Sequence, residues 1–300
     1  MKKFILKTIL FFVCVVMIDR AFGQIFSYLR AHAKGGSTAN CEYIANSATD
    51  DIVILGSSRA THHYVPKIIE DSLGLSCYNC GEEGNGVILA YGRLKMLTER
   101  YSPKLVIYEL TPEYDYGTKD PNAKYLGYLR AYYNKIGIKE IFDDFDDGLS
   151  QIKMKSKMYQ NTSRLLPDLL DNIIYRDNMQ GFNPLYGQTK IAAKDTHLEN
   201  KTIDVDSMKL NYLEKIIKLC QNKNIPLVFM ISPLYNNINM NEYAPAMYLC
   251  EKYGIKVFDN HKMEGIASES EYFQDESHMN YKGAKLYNEQ VVKQIKTIIL

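Results

Sequence analysis

Tryptophan, a charge of one dominant sign, internal repeats and low-complexity segments are all missing from this sequence. With 36 Lys and Arg against 35 Asp and Glu, the net charge of +1 gives no electrostatic basis for binding nucleic acid or an acidic surface. What is present is an ordinary globular composition, 46% apolar and 24% charged. A chain of 300 residues with that composition is long enough for one large α/β domain with insertions.

The six cysteines do not form a metal-binding pattern. Cys77-x-x-Cys80 has no second CxxC or HxxxH pair to complete a zinc site. Cys77-x-x-Cys80 could also be interpreted as a redox pair. It lies at the end of a predicted strand, however, whereas a reactive thiolate is stabilised at a helix N-terminus. Packed or structurally paired cysteines are therefore the favoured interpretation, and we predict no metal and no cofactor.

The N-terminal region has an apolar stretch shorter than the ~20 residues of a full spanning helix. This stretch, residues 9–18, follows three lysines and ends at Asp19-Arg20. A basic start before 10–15 apolar residues is typical of a signal peptide or signal anchor. The charged Asp19-Arg20 pair favours an uncleaved anchor over cleavage near Ala21-Phe22-Gly23. We predict that residues 1–23 are this signal segment and that the protein lies at the periplasmic face, anchored to the inner membrane.

After a predicted stalk at 24–50, apolar runs alternate with helical patterns. Continuous apolar runs are typical of parallel strands buried on both faces, and they lie at 52–56, 75–78, 105–110, 226–231 and 255–258. Helical spacing is found at 86–100, 208–222, 244–253 and 283–299. The alternation predicts a three-layer α/β/α sandwich over 51–300 with a mostly parallel sheet of about five strands. Residues 115–205 interrupt it and are predicted to be a helical insertion that caps the active face.

The first chemical motif is Gly56-Ser57-Ser58-Arg59, directly after the most apolar strand. A glycine turn there would place a serine hydroxyl at the carboxyl edge of the sheet, beside helix N-terminal amides that can stabilise an oxyanion. A plain helix N-cap and a phosphate-binding loop of a flavodoxin-like sheet are the alternatives. The following pair, His62-His63, is predicted to be exposed at the start of a helix.

The second motif, Asp275-x-x-His278, precedes the C-terminal helix. In such a turn the carboxylate can accept the imidazole N–H, which leaves the other ring nitrogen free to take a proton from a serine. The two motifs stand at opposite ends of one α/β domain and together supply what acyl transfer requires.

These blocks resemble the SGNH (GDSL-like) hydrolase superfamily, in its anchored, bacterial, DltD-like branch. The resemblance implies the flavodoxin-like SGNH fold, Ser58 as nucleophile and Asp275 and His278 as its acid–base partners. It also implies an oxyanion-binding or substrate-binding role for Gly84 and Asn85 after the second strand, with Thr111 as a further contributor. Arg59, next to the nucleophile, is interpreted either as a substrate-binding residue for a carboxylate or sugar acid or as a partner in a structural salt bridge. The third block of the family carries an asparagine donor, and the corresponding stretch here, Leu110 to Asp115, contains none.

The sequence thus predicts an extracytoplasmic serine esterase or O-acyltransferase. The resemblance implies an acylated cell-envelope glycan or exopolysaccharide as substrate, and a membrane acyltransferase as a partner. The missing asparagine supports the alternative, a non-catalytic accessory or binding protein with the same fold that works beside such an acyltransferase. Nucleic acid is not an expected partner.

Overall fold

The central sheet forms from the predicted apolar runs. The computed structural model describes residues 1–118, 126–145, 148–175, 177–196 and 202–299. Its main sheet has five parallel strands in the order β2-β1-β3-β5-β7, and β4 pairs with β6 separately. The strands are β1 (Ile52–Gly56), β2 (Cys77–Asn79), β3 (Leu105–Glu109), β4 (Asp195–Thr196), β5 (Leu227–Ile231), β6 (Asn237–Ile238) and β7 (Lys256–Asp259).

Helices cover both faces of this sheet because successive side chains of a strand point to opposite sides. Val53 and Leu55 of β1 belong to one hydrophobic core, while Ile52 and Ile54 belong to the other. The first core includes residues of the helices at 36–46, 87–98, 207–222 and 244–253, and the second includes residues of the helices at 58–63, 66–73 and 281–299. The predicted three-layer α/β/α sandwich with a five-stranded parallel sheet is confirmed.

The helices of the described residues are α1 (Lys2–Ala31), α2 (Gly36–Asn46), α3 (Ser58–His63), α4 (Pro66–Leu73), α5 (Val87–Thr98), α6 (Pro112–Asp115), α7 (Leu126–Leu129), α8 (Ile138–Asp143), α9 (Ser150–Lys153), α10 (Lys157–Asn161), α11 (Leu165–Ile173), α12 (Ser207–Asn222), α13 (Ala244–Tyr253) and α14 (Tyr281–Ile299). Short 3₁₀ helices cover Arg130–Tyr132, Met179–Gly181, Met240–Tyr243 and Ser270–Tyr272. The predicted helices at 86–100, 208–222, 244–253 and 283–299 correspond to α5, α12, α13 and α14.

The segment predicted as a stalk contributes to the domain. Its polar part begins α2, where Asp171 accepts the backbone N–H of Thr38 at 3.0 Å and Asp168 accepts the Thr38 hydroxyl at 2.9 Å. Further along α2, Ile44 and Ala45 are fully buried in the first core. The Gly-Ser-Thr composition that suggested a stalk therefore marks the start of a packed helix.

Helix α1 is apolar and exposed over its first half. From residue 4 to residue 18 every side chain except that of Cys14 is exposed. Its second half packs on the insertion, where Asp19 accepts the backbone N–H groups of Lys157 and Met158 at the start of α10. Within the described part of the chain, no helix has both the length and the apolar character required to cross a membrane.

The insertion predicted at 115–205 contains helices α7 to α11, of which α7, α8, α10 and α11 pack against α1, α2 or α5. Its residues 182–194 form no regular secondary structure and lead into β4. Its residues 119–125, 146–147, 176 and 197–201 lie outside the described residues.

All six cysteines lie in the described residues and are free thiols. Cys77 and Cys80 are buried, and burial raises the pKa of Cys77 well above its usual value and that of Cys80 to about 12. Thiols held in this protonated state are poor nucleophiles, which argues against the redox interpretation of Cys77-x-x-Cys80.

Candidate active site

Ser58 is placed by the turn at the end of β1. Gly56 closes the strand with φ of 141°, and a Cβ atom there would lie 2.8 Å from the Glu109 carbonyl oxygen, so glycine is required. Ser58 is then the first residue of α3 and is only 8% exposed. Its hydroxyl stands at the carboxyl edge of the sheet, as the motif predicted.

The loop before α14 places Asp275 and His278. One carboxylate oxygen of Asp275 accepts the backbone N–H groups of Ser277 at 2.8 Å and His278 at 2.9 Å. The loop is closed by an antiparallel bridge between Phe273 and Met279. These contacts fix the backbone of the loop and thereby the orientation of the Asp275 and His278 side chains.

Ser58, His278 and Asp275 converge across 220 residues of sequence. The His278 Nε2 atom lies 2.8 Å from Ser58 Oγ, and its Nδ1 atom lies 3.0 and 3.1 Å from the two Asp275 carboxylate oxygens. Because a carboxylate only accepts, Nδ1 carries the proton and Nε2 is free to accept the serine O–H. Burial opposes ionisation of Asp275, but the N–H groups of Ser277 and His278 outweigh it and lower the pKa of this carboxyl.

A cavity of about 250 Å³ opens in front of Ser58. Arg59, Thr111 and His278 are among its lining residues. The loop after β2 is placed differently, since Gly84 and Asn85 are not among the described residues that line this cavity. The structure therefore brings Ser58, Asp275, His278, Arg59 and Thr111 together, and leaves Gly84 and Asn85 on the adjacent loop.

Arg59 is buried among internal partners. Its guanidinium lies 3.2 Å from the Glu109 carboxylate and donates to the Tyr243 hydroxyl at 3.0 Å and to the Leu110 carbonyl. Burial disfavours the charged form, yet Tyr243 and Glu109 raise the pKa of Arg59 above its ordinary value, so the group is charged. Of the interpretations considered for Arg59, the salt bridge is the one with observed partners.

The predicted exposure of His62 and His63 is wrong, since both side chains are buried. His62 Nδ1 lies 2.6 Å from the Asn183 carbonyl oxygen, and Nε2 lies 2.7 Å from the Glu83 carboxylate. The His62 ring meets that of His278 edge to face at 5.4 Å between centroids. Helix α3 is covered by α14 on one side and by the insertion on the other, and this tertiary cover buries a pair that a free helix start would expose.

A second cavity of about 500 Å³ lies beyond His62. Glu83 and Asn183, the two partners of His62, belong to its wall. The insertion contributes Tyr128 and Arg164, whose guanidinium lies 3.9 Å from the centre of the Tyr128 ring. One buried histidine therefore separates this polar cavity from His278.

No protein-family model matches the chain, and no curated protein matches it significantly. Among solved structures, the chain is similar to the psychrotrophic esterase EstA from Pseudoalteromonas sp., at 16% identity over 82% of this chain and 96% of that one, with a TM-score of 0.43. It is also similar to the acetyl xylan esterase AlAXEase, at 10% identity over 83% of this chain and 100% of that one, with a TM-score of 0.39. For the esterase AlinE4 the identity is 12%, the coverage 85% and 100%, and the TM-score 0.36. Similarities this low establish no activity or substrate for this chain.

Proposed function

We propose that this chain is a serine esterase or O-acyltransferase of the SGNH (GDSL-like) type. The observation that carries the proposal is the hydrogen-bonded series from Ser58 Oγ through the His278 imidazole to the Asp275 carboxylate, with distances of 2.8 and 3.0 Å. A nucleophile, a base and a group that orients the base are the parts that acyl transfer requires. Ser58 and His278 line a cavity that can admit an ester, and Asp275 lies behind the His278 ring.

In the proposed reaction, Ser58 Oγ attacks the ester carbonyl carbon while its proton moves to His278 Nε2. The tetrahedral intermediate collapses, the alkoxy group leaves with the proton from His278, and an acyl group remains on Ser58. Water or a sugar hydroxyl then attacks this acyl group after losing its proton to His278, which later returns a proton to Ser58. Asp275 holds the imidazole and stabilises its positive charge in both steps.

The oxyanion donors in this proposal are the Ser58 backbone N–H and the Thr111 hydroxyl, since Gly84 and Asn85 are not among the described residues that line the cavity in front of Ser58. Thr111 Oγ1 accepts from Ser57 Oγ at 3.0 Å and from Arg59 Nε at 3.4 Å, so its own proton is left to donate. Asn85 is 4% exposed and its side-chain N–H donates to the Glu83 carbonyl at 2.8 Å. The side-chain atom that lacks a partner among the described residues is its oxygen, which accepts hydrogen bonds and cannot stabilise an oxyanion.

An acylated cell-envelope glycan or exopolysaccharide is the proposed substrate. The larger cavity beyond His62 supports it, because carboxylate, amide and arginine side chains line it together with the Tyr128 and Phe182 rings. Polar groups at fixed positions beside aromatic rings suit a hydroxyl-rich ligand. The insertion would thus hold the sugar whose ester reaches Ser58.

A location outside the cytoplasm, in the anchored DltD-like manner, is part of the proposal. The basic start and apolar stretch of residues 1–23 support it, as do the exposed apolar side chains of the first half of α1. Fractionation of cells tests it: the chain should be found with the inner membrane and be digested by protease added to spheroplasts. A protease-resistant, cytosolic chain would contradict it.

The catalytic proposal is tested with p-nitrophenyl acetate and a serine-directed fluorophosphonate on the purified full chain. We expect ester hydrolysis and covalent labelling in the wild type, and neither in Ser58→Ala. Ser207→Ala, which removes an exposed serine at the start of α12, is the matched control and should be labelled normally. Labelling that survives Ser58→Ala would exclude Ser58 as the nucleophile, and a wild type that is never labelled would favour a non-catalytic accessory protein.

A further inference from the structure

A second buried histidine, His63, contacts the loop that carries His278. The backbone N–H of Met279 donates to His63 Nε2 at 2.9 Å. On the other side of the ring, His63 Nδ1 lies 2.8 Å from Ser232 Oγ, and that hydroxyl donates to the Glu109 carboxylate at 2.7 Å. The His63 side chain therefore connects the ends of β3 and β5 to the residue that follows His278.

The directions of these hydrogen bonds define the tautomer of His63. Because Ser232 Oγ gives its proton to Glu109, it accepts from His63, so the proton of the imidazole is on Nδ1. Nε2 then has the lone pair that the Met279 N–H requires. A doubly protonated ring would place two donors face to face and break this contact, so the arrangement requires a neutral His63.

Burial favours the same neutral state. His63 is completely buried, which lowers the pKa of its imidazole well below the usual value, and the neighbouring His278, Arg59 and His62 add to this effect. The rings of His63 and His278 lie 6.4 Å apart. A neutral His63 at that distance does not oppose the positive charge that His278 acquires when it takes the serine proton.

We propose that His63 is a positioning residue. Through the Met279 N–H it holds the His278 loop in the position that puts the imidazole within hydrogen-bond distance of Ser58. The inference rests on the proposed function, because the position of the His278 imidazole relative to Ser58 affects the reaction only when His278 acts as the base. The Ser277 and His278 N–H groups bound to Asp275 fix the turn internally, whereas His63 ties the turn to the sheet. Misplacement of a catalytic group by about 1 Å can cost roughly 100-fold in rate.

The test compares His63→Leu with His63→Gln in the full chain. Leucine fills the space without hydrogen bonds, whereas the glutamine amide can accept from Met279 and donate to Ser232. We expect His63→Leu to lower kcat for p-nitrophenyl acetate about 10- to 100-fold with an unchanged KM, and His63→Gln to restore most of the loss. Ser232→Ala, which removes the acceptor of the ring N–H, should lower kcat in the same direction and non-additively with His63→Leu.

A proton NMR measurement separates this inference from the proposed function. The low-field Nδ1–H resonance of His278, assigned by its loss in His278→Gln, should be present in the wild type and His63→Gln and broadened in His63→Leu. If the wild type has no Ser58-dependent activity, the proposed function fails and the resonance still reports on His63. Should His63→Leu unfold, Ser232→Ala and His63→Gln give the comparison. An unchanged kcat and resonance in His63→Leu, or His63→Gln as impaired as His63→Leu, would overturn the inference.

Discussion

The guanidinium of Arg59 lies 3.2 Å from the carboxylate of Glu109, and both side chains are buried. Glu109 also accepts from the Tyr64 hydroxyl at 2.5 Å and from Ser232 Oγ at 2.7 Å. Burial raises the pKa of Glu109, and Arg59 and these donors oppose that shift. The residue after the proposed nucleophile is thereby fixed to the end of the neighbouring strand.

Glu109→Ala is expected to destabilise the protein strongly, because it leaves the Arg59 charge buried without its partner. Removing one member of a buried pair lowers the free energy of unfolding by about 3–5 kcal/mol. Urea unfolding followed by circular dichroism measures this. Asp71→Ala is the matched control, since it breaks the exposed Lys67–Asp71 pair and should leave stability unchanged. Equal stability of the two variants would contradict the prediction.

Asp115 makes stability depend on pH. Burial raises the pKa of Asp115 to about 7, whereas an unfolded aspartate titrates near about 3.9. Between these values the folded chain holds a proton that the unfolded chain has released, so the free energy of unfolding falls as pH rises from about 4 to about 7. Asp115→Asn should remove this contribution. Urea unfolding of both proteins at about pH 5 and about pH 7 tests it, and parallel changes in the two would contradict it.

Asp275→Asn should lower kcat by about 10⁴, as expected when an amide no longer holds the base in the correct tautomer. The lowered pKa of Asp275 means that the wild-type carboxylate is ionised throughout the neutral range, so a change in pH near 7 should not mimic the substitution. Steady-state hydrolysis of p-nitrophenyl acetate measures the effect. Asp71→Asn, at an exposed site, is the control. A loss below about tenfold would remove Asp275 from the proposed mechanism.

Much of this architecture was predictable because its signals are local. The strand β1 and helices α5, α12, α13 and α14 follow from apolar spacing within one segment, and Asp275 binds His278 within a single turn. Both motifs could also be assigned to one sheet edge, because the carboxyl ends of parallel strands meet there.

What the sequence did not reveal depends on contacts between distant segments. The Met279 N–H donates to His63, which lies 216 residues earlier in the sequence, and Glu109 of β3 pairs with Arg59 of α3. A charged residue inside the apolar run of β3 is a signal that could have indicated the buried ion pair, since carboxylates are rarely buried without partners. The burial of His63 and the packing of α2 carry no such local mark.

Thr111→Val should reduce kcat about 100-fold, if the hydroxyl donates to the oxyanion as proposed. Valine keeps the shape of the side chain and removes both the donor and the acceptor of Ser57 Oγ. Thr111→Ser retains the hydroxyl and should keep most of the activity, which separates the chemical role from packing. The ratio of kcat between the two variants is the measurement, and a ratio near one would exclude Thr111 from the oxyanion site.

Tyr128→Ala should separate the role of the larger cavity beyond His62 from that of the smaller cavity in front of Ser58. Its ring supports Arg164 in the wall of the cavity proposed to hold the sugar, and it does not line the cavity in front of Ser58. We therefore expect kcat/KM for an O-acetylated oligosaccharide to fall about tenfold, equivalent to roughly 1.4 kcal/mol, while hydrolysis of p-nitrophenyl acetate is retained. Tyr248→Ala, on the exposed face of α13, is the matched control. An equal loss on both substrates would show that the ring supports the fold instead, and an unchanged rate on the oligosaccharide would place the sugar elsewhere.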